Sequence, residues 1–286
     1  MNYASKILSY LTSEPRLSRV LMVAGAPPVE KIDNEFRLVL NTILTPDDIR
    51  DTLTTFASHA RRGGPSDGGG HGVFAFGMPN LGRFRVHYLT QRGSPLISIQ
   101  RMPFEVPSVE DILADPGQLP EAEALFLQER GIMLMTGPAP TPILQFVYSM
   151  LARRNEKTRV VICIVEEGLS FSLRHRNSVI VQIDAGTDVP TLEEGIRSAL
   201  SLFPDVLYVR DCRTREELAG LLCAAETGAL VIASSVTFNE KQTLTDIRGR
   251  LEEDYDSFCR HLLKGARITA GRDTKVTLHF HTPAAG

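Results

Sequence analysis

The sequence predicts an α/β protein of two domains, an α+β domain followed by a mostly parallel α/β domain. Three observations carry that expectation. The chain has 286 residues, enough for two ordinary domains. Short strand patterns separated by turn residues cluster between residues 72 and 102, as in an antiparallel sheet. Beyond residue 118 the pattern changes to continuous apolar runs separated by helical stretches, which suits strands buried on both faces.

Composition narrows the function classes. The chain is 43% hydrophobic and 23% charged, so it can bury sizeable cores. Its net charge of -3 offers no basic excess to neutralise phosphates, and no nucleic-acid partner is expected. The nearest basic tract is "LRHRN", with Arg174, His175 and Arg176, which reads as a solvated loop or hairpin. The four cysteines, Cys163, Cys212, Cys223 and Cys259, show no C-x-x-C spacing, so neither a zinc site nor a redox pair is expected. Cys163 reads as a small buried hydrophobe within an apolar strand. The start of the chain lacks a signal-peptide core, and no apolar run approaches the ~20 residues of a membrane span. A cytoplasmic protein with reduced thiols is therefore expected.

In order along the chain, "ASKILSYLTSE" places Ile7, Leu8 and Leu11 at helical spacing. "RVLMVAG" and "EFRLVLN" read as strands. "TPDDIRDTLTTFASHA" opens a helix with Thr45 as N-cap, Pro46 at its first position, and Asp47 and Asp48 at the positive end of the helix dipole. "RRGGPSDGGGHG", residues 61–72, reads as a flexible connection, because no apolar strand feeds it and no helix follows. "GVFAFGM", "GRFRVHYLTQ" and "LISIQRM" complete an antiparallel sheet, and the first domain spans 1–102. Residues 103–118 are a proline-rich linker with a short helix at its centre. In the second domain, 119–286, "GIMLMTG", "RVVICIVEE", "SVIVQID", "DVLYVRD" and "GALVIASS" read as strands. The helices are placed at 143–154, 190–202, 214–226 and 239–263, and "DTKVTLHFHTP" adds one strand.

The stretch "MLMTGPAPTPILQFVYSML" has the layout of a strand, a small-residue loop and a helix. A phosphate loop, G-x-x-x-x-G-K-[ST], can be laid over residues 137–144. Gly137 fits. Pro142 stands in place of the second Gly, Ile143 in place of the Lys, and Leu144 in place of the Ser or Thr. Pro140 and Pro142 lack N–H donors, and proline closes the left-handed backbone that glycine allows. Ile143 cannot neutralise phosphate and Leu144 cannot bind Mg²⁺. Taken alone, this is a strand–loop–helix corner.

Further runs occur in a fixed order: "GRFRVHYLTQRG", "ISIQRMP", "EEGLSF", "FPDVLYVRDCRTREE" and "AAETGALVIASS". Together they resemble the type II/type IV secretion ATPase family, in particular its PilT-like pilus-retraction motors, over residues 20–250. The resemblance implies a PAS-like first domain and a RecA-like second domain. It also implies ATP and Mg²⁺ as family ligands, and hexameric assembly in twitching motility or secretion.

Carried over residue by residue, Thr136, Gly137 and Pro138 match the start of the phosphate (Walker A) loop, and Thr141 supplies a hydroxyl. Glu166 and Glu167 match the acidic box, with Phe171 on its Phe and Ser170 in place of its second Glu. Asp211 stands for the Walker B Glu, Arg210 for the Gly before it, and Arg213 for the Arg that follows. Ala229 and Val236 replace two His. Glu166 is a candidate base if a γ-phosphate is present, and otherwise reads as a solvated strand end. Arg83, Arg85 and Arg101 fall on strands whose basic residues face nucleotide or a neighbouring subunit in the family. Their plain reading, for Arg83 and Arg85, is the outward face of an antiparallel sheet.

The groups that touch ATP are mostly replaced, while those that hold the fold survive. The leading expectation is a catalytically silent family member, a pseudo-ATPase, acting as a structural or regulatory subunit of a pilus or secretion motor with no bound cofactor. A weakly active ATPase and a non-hydrolysing nucleotide sensor stay open beside it. Expected partners are copies of the chain or related motor ATPases, and an inner-membrane platform protein that would hold the chain peripherally at the membrane.

Overall fold

The computed structural model describes residues 2–13, 19–32, 35–60, 70–79, 81–102, 105–138, 140–237, 240–270 and 275–281. The chain divides into two compact units, Met1–Phe104 and Glu105–Gly286.

The first unit contains α1 (Ala4–Ser13), β1 (Arg19–Val23), β2 (Val29–Ile32), β3 (Glu35–Leu38), α2 (Pro46–Ser58), β4 (His71–Met78), β5 (Gly82–Gln91) and β6 (Ser94–Met102). Its strands form one antiparallel sheet in the order β3-β2-β1-β6-β5-β4. Alternation puts Phe84 and Val86 of β5, Phe74 and Phe76 of β4, and Ile97 and Ile99 of β6 into a core shared with α1 and α2. Phe76 sits between Phe56 of α2 and Phe84, with ring centroids 5.6 and 5.4 Å away. Thr45 caps α2 as the sequence suggests, in a reciprocal capping box with Asp48.

Three readings of this unit change. β2 carries no clear alternation and escaped the sequence reading. The expected 61–72 connection ends earlier, since His71 and Gly72 belong to β4, and residues 61–69 lie outside the described residues. Arg85 does share the non-core face of β5 with Arg83, but it is 9% exposed, so it is not solvated as expected.

The second unit contains α3 (Val109–Ile112), a 3-10 turn (Pro116–Gln118), α4 (Leu119–Phe126), β7 (Gly131–Gly137), α5 (Pro140–Lys157), β8 (Val161–Glu167) and β9 (Val179–Ala185). It continues with α6 (Leu192–Leu200), β10 (Val206–Arg210), α7 (Arg215–Glu226), β11 (Leu230–Val236), α8 (Glu240–Leu251), α9 (Tyr255–His261), β12 (Gly265–Ala270) and β13 (Val276–His281). The sheet order is β13-β12-β7-β11-β10-β8-β9, parallel except for the terminal β12–β13 hairpin. Strand β7 is buried along its whole length, which explains its unbroken apolar run. Helices α6, α7, α8 and α9 share one core with Leu134, Val165, Val209 and Ala233. Helix α5 covers the opposite face, where Tyr148 meets Tyr208 edge-on at 5.9 Å. This is the α/β second domain that the apolar runs predicted.

Here too the sequence reading shifts in places. The proline-rich stretch is folded into this unit from residue 105: Val109, Ile112 and Leu113 are buried, and the Ala114 N–H donates to the Val276 carbonyl at 2.8 Å. The helix expected over 239–263 is two helices, because the backbone at Glu252 turns to φ +50° between them. "GARITA" was not assigned, and it forms β12.

Candidate functional site

The C-terminal ends of β7, β11, β10 and β8 lie side by side. Thr136 pairs with Ser235, Gly137 with Val236, Arg210 with Ser234, and Val209 with Val165. Loops beyond the carboxyl ends of parallel strands are where open α/β sheets place their sites. Of the residues singled out from the sequence, Thr136, Gly137, Pro138, Glu166, Glu167, Asp211 and Arg213 are at this edge. Arg83, Arg85 and Arg101 belong to the other unit. There Arg101 donates from Nε to the Leu81 carbonyl at 3.0 Å and from Nη1 to the Thr12 carbonyl at 3.4 Å.

The connection after β7 is short. Strand β7 ends at Gly137 and α5 begins at Pro140, so only residues 138 and 139 lie between them. Proline at the first helical position needs no donor and has a φ already suited to the helix. Pro142 falls inside the same first turn. The side chains of Ile143 and Leu144 are 2% and 7% exposed, so both point into the fold. Gly137 has room for no side chain, since a Cβ there would lie 2.3 Å from the Ile268 carbonyl oxygen and 3.2 Å from Ile143 Cδ1. The Thr141 side chain lies outside the described residues.

Glu166, next to last in β8, lies on the α5 face and is fully buried, contrary to the solvated strand end expected from sequence. Its Oε2 accepts from the Ser170 N–H at 2.8 Å and from the Ser170 hydroxyl at 2.9 Å. Among the described residues its Oε1 makes no hydrogen bond of good geometry, although the buried Tyr148 hydroxyl of α5 acts on this carboxyl. Burial pushes the Glu166 carboxyl above the ordinary carboxylate range, and the Arg210 charge and the Ser170 bonds offset that only in part. Arg210 is half-buried, with 24% of its side chain exposed, and that burial alone would lower its pKa. The neighbouring Glu166, Tyr208 and Asp211 outweigh this and hold it above its usual value. Its guanidinium donates to the Ser170 hydroxyl at 3.2 Å and pairs with Asp211 at 3.3 Å. Tyr208 shares a hydrogen bond of 2.9 Å with Ser234, and its phenol is pushed well up, first by burial and then by Glu166.

Asp211 leaves β10 in the left-handed region, φ +57°, with its N–H on the Ser234 carbonyl at 2.8 Å. Asp tolerates that backbone better than most residues. Glu167 and Arg213 are exposed. Among the described residues, no group of three or more His, Cys, Asp or Glu side chains is placed to hold a metal ion. The sequence reading treated Arg210 and Ser170 only as replacements and passed over Tyr148 and Tyr208. An Arg closing the apolar strand "VLYVR" was the available signal, because a cation at such a strand end needs an acidic neighbour.

A family model for type II/IV secretion system proteins matches residues 80–250. The chain belongs to that family. Within it, the chain is 27% identical over 232 residues to the type IV pilus ATPase PilU of Pseudomonas aeruginosa, covering 80% of this chain and 59% of the relative. It is 24% identical over 279 residues to the type IV pilus retraction ATPase PilT of the same organism, covering 91% and 78%. This secretion-family chain thus spans a little under three fifths of the PilU relative's length. Its fold is that of the pilus retraction motor PilT solved with bound ADP: TM-score 0.76, 24% identity, 96% of this chain and 81% of that one. The ATPase DotB of Legionella pneumophila follows with TM-score 0.71 and 18% identity, covering 97% and 78%. Both likenesses speak for the fold alone. Among the described residues no helix is long and apolar enough to cross a membrane.

Proposed function

We propose that this chain is a catalytically silent, PilT-like member of the family. In this reading it is a cytoplasmic structural or regulatory subunit that assembles with a pilus or secretion motor and does not hydrolyse ATP. The observation that carries the reading is the corner after β7. Helix α5 begins at Pro140, and Ile143 and Leu144 are buried where the family pattern has the Lys and the Ser or Thr. A two-residue connection and two prolines leave few free N–H groups to cradle a triphosphate, and the position of the family Lys is held by the apolar Ile143. The residues present do not fit the phosphates and Mg²⁺ of the family.

The acidic groups support the same reading. Glu166 is fully buried, and its Oε2 is occupied by the two Ser170 donors. Arg210 pairs with Asp211, the residue in place of the Walker B Glu. Both acids are thereby committed to contacts inside the chain. The subunit role rests on the relatives, two of which are named as pilus ATPases. Arg83 is the proposed contact to a neighbouring subunit, with the exposed Glu167 of that neighbour as its acidic counterpart.

Light scattering of the purified chain, alone and mixed with an active pilus motor from the same cell, tests this role. Association is expected, weakening as salt rises because an Arg83–Glu167 contact at the subunit surface is partly screened. A monomer at every salt concentration, with no association to the motor, would overturn the subunit role.

A further inference from the structure

A cavity of about 250 Å³ opens at the C-terminal edge of the parallel sheet, between the ends of β7, β10 and β11 and helix α8. It lies on the α7–α8 side of the sheet, whereas α5, Glu166 and Tyr208 are on the other. Its floor is apolar, formed by Leu134, Ala233, Leu218 and Ile247 of the shared core. Its polar groups are of a different kind. Thr136 and Ser235 are register partners on adjacent parallel strands, so both hydroxyls come from one face of the sheet at one level. Thr136 is 1% exposed, and among the described residues its Oγ1 has no hydrogen-bond partner. A buried hydroxyl left unpaired costs free energy, so its persistence at a cavity wall points to a ligand that completes it.

Two arginines stand at the same cavity, Arg213 after β10 and Arg250 near the end of α8. Among the described residues, neither guanidinium has an ion-pair or hydrogen-bond partner. Among the described residues, Asp246 is the one acid in the lining, and it accepts from Gln242 Nε2 at 2.9 Å. The described lining therefore carries two positive charges against one negative. Guanidinium forks match the paired oxygens of a phosphate or carboxylate.

We propose that this cavity binds a small oxyanion, a phosphoryl or carboxylate group on a compact body, held by Arg213 and Arg250 and completed by the Thr136 and Ser235 hydroxyls. The apolar floor takes the body of the ligand. The volume is below the roughly 300–1,000 Å³ of ordinary small-molecule sites, which favours a single small metabolite over a nucleoside triphosphate. The inference does not rest on the silent-motor reading, since it uses the opposite face of the sheet.

The test is calorimetric titration of the purified chain in chloride-free buffer, with inorganic phosphate in one arm and acetate in the other. Saturable binding in the millimolar range or tighter is expected in at least one arm, and the arm that saturates identifies the anion class. Arg213→Ala and Arg250→Ala, both at exposed positions, should each weaken that binding by about tenfold. Thr136→Val keeps the shape and removes the hydroxyl, and should weaken it several-fold. No saturable binding in either arm, or binding unchanged in both arginine variants, overturns the proposal. A melting curve of each variant shows that it is folded.

Discussion

Ser170 donates both its backbone N–H and its hydroxyl to Oε2 of Glu166, a carboxylate that is fully buried. Among the described residues the other oxygen, Oε1, makes no hydrogen bond of good geometry, and the Tyr148 hydroxyl acts on the carboxyl from α5. Replacing Glu166 by Gln keeps an acceptor for Ser170 and removes the buried ionisable group. The folded-state pKa of Glu166 lies above its unfolded value of 4.5, so its stabilising contribution is present below that value and is lost as pH rises through the folded one. The melting temperature of Glu166→Gln minus that of the wild type should therefore grow more positive from about pH 4 to about pH 8. A difference that falls with pH would contradict the burial account.

Arg210 is the cation that offsets this burial. Arg210→Ala should destabilise the chain by about 1–3 kcal/mol, since it leaves a buried carboxylate without its compensating charge. The same change made on a Glu166→Gln background should cost clearly less. A double-mutant cycle in urea measures the coupling, and additive effects would show that the two side chains act independently.

At the corner after β7, Gly137→Ala should cost about 1–3 kcal/mol, because the new Cβ would meet the Ile268 carbonyl of β12, a backbone atom that cannot rotate away. Adding Ile143→Ala should not rescue it, since Ile143 is the more distant of the two neighbours. A rescue in denaturant melts would place the limiting contact at Ile143 instead.

Rebuilding the family's phosphate-loop residues should fail. Pro142→Gly, Ile143→Lys and Leu144→Ser together put a charge and a hydroxyl where side chains are 2% and 7% exposed. Burying such groups without partners costs roughly 2 kcal/mol or more each. The triple variant should melt earlier than the wild type and show no steady ATP hydrolysis in a phosphate-release assay. Sustained turnover would show that Glu166 and Asp211 suffice as catalytic acids, and would favour the weakly active reading.

Much of the second domain was legible because strands buried on both faces must carry continuous apolar runs, as β7, β8 and β10 do before their polar C-terminal ends. Thr45 announced its helix as an N-cap ahead of Pro46, Asp47 and Asp48, a signal that is local in sequence. β2 and β12 were not legible, because their place comes from pairing with β1, β3, β7 and β13 and not from their own pattern. At the site, aligned motifs located Glu166 but not its burial. Its surroundings come from Tyr148 of α5, Phe171 beyond β8 and Tyr208 of β10, which only the tertiary fold brings together. The cavity beside Thr136 was hidden for the same reason, since Arg250 is distant from Thr136 in sequence and reaches it through the packing of α8.

The central claim, a nucleotide corner that no longer takes ATP, is tested most directly by thermal unfolding with and without millimolar Mg-ATP, Mg²⁺ alone being the control. A ligand that binds the folded chain raises its stability by RT ln(1 + [L]/Kd). The account predicts an unchanged melting temperature in the wild type and in Arg213→Ala, the variant that separates this corner from the small-anion cavity. An upward shift with Mg-ATP that persists in Arg213→Ala, and is absent with Mg²⁺ alone, would contradict it.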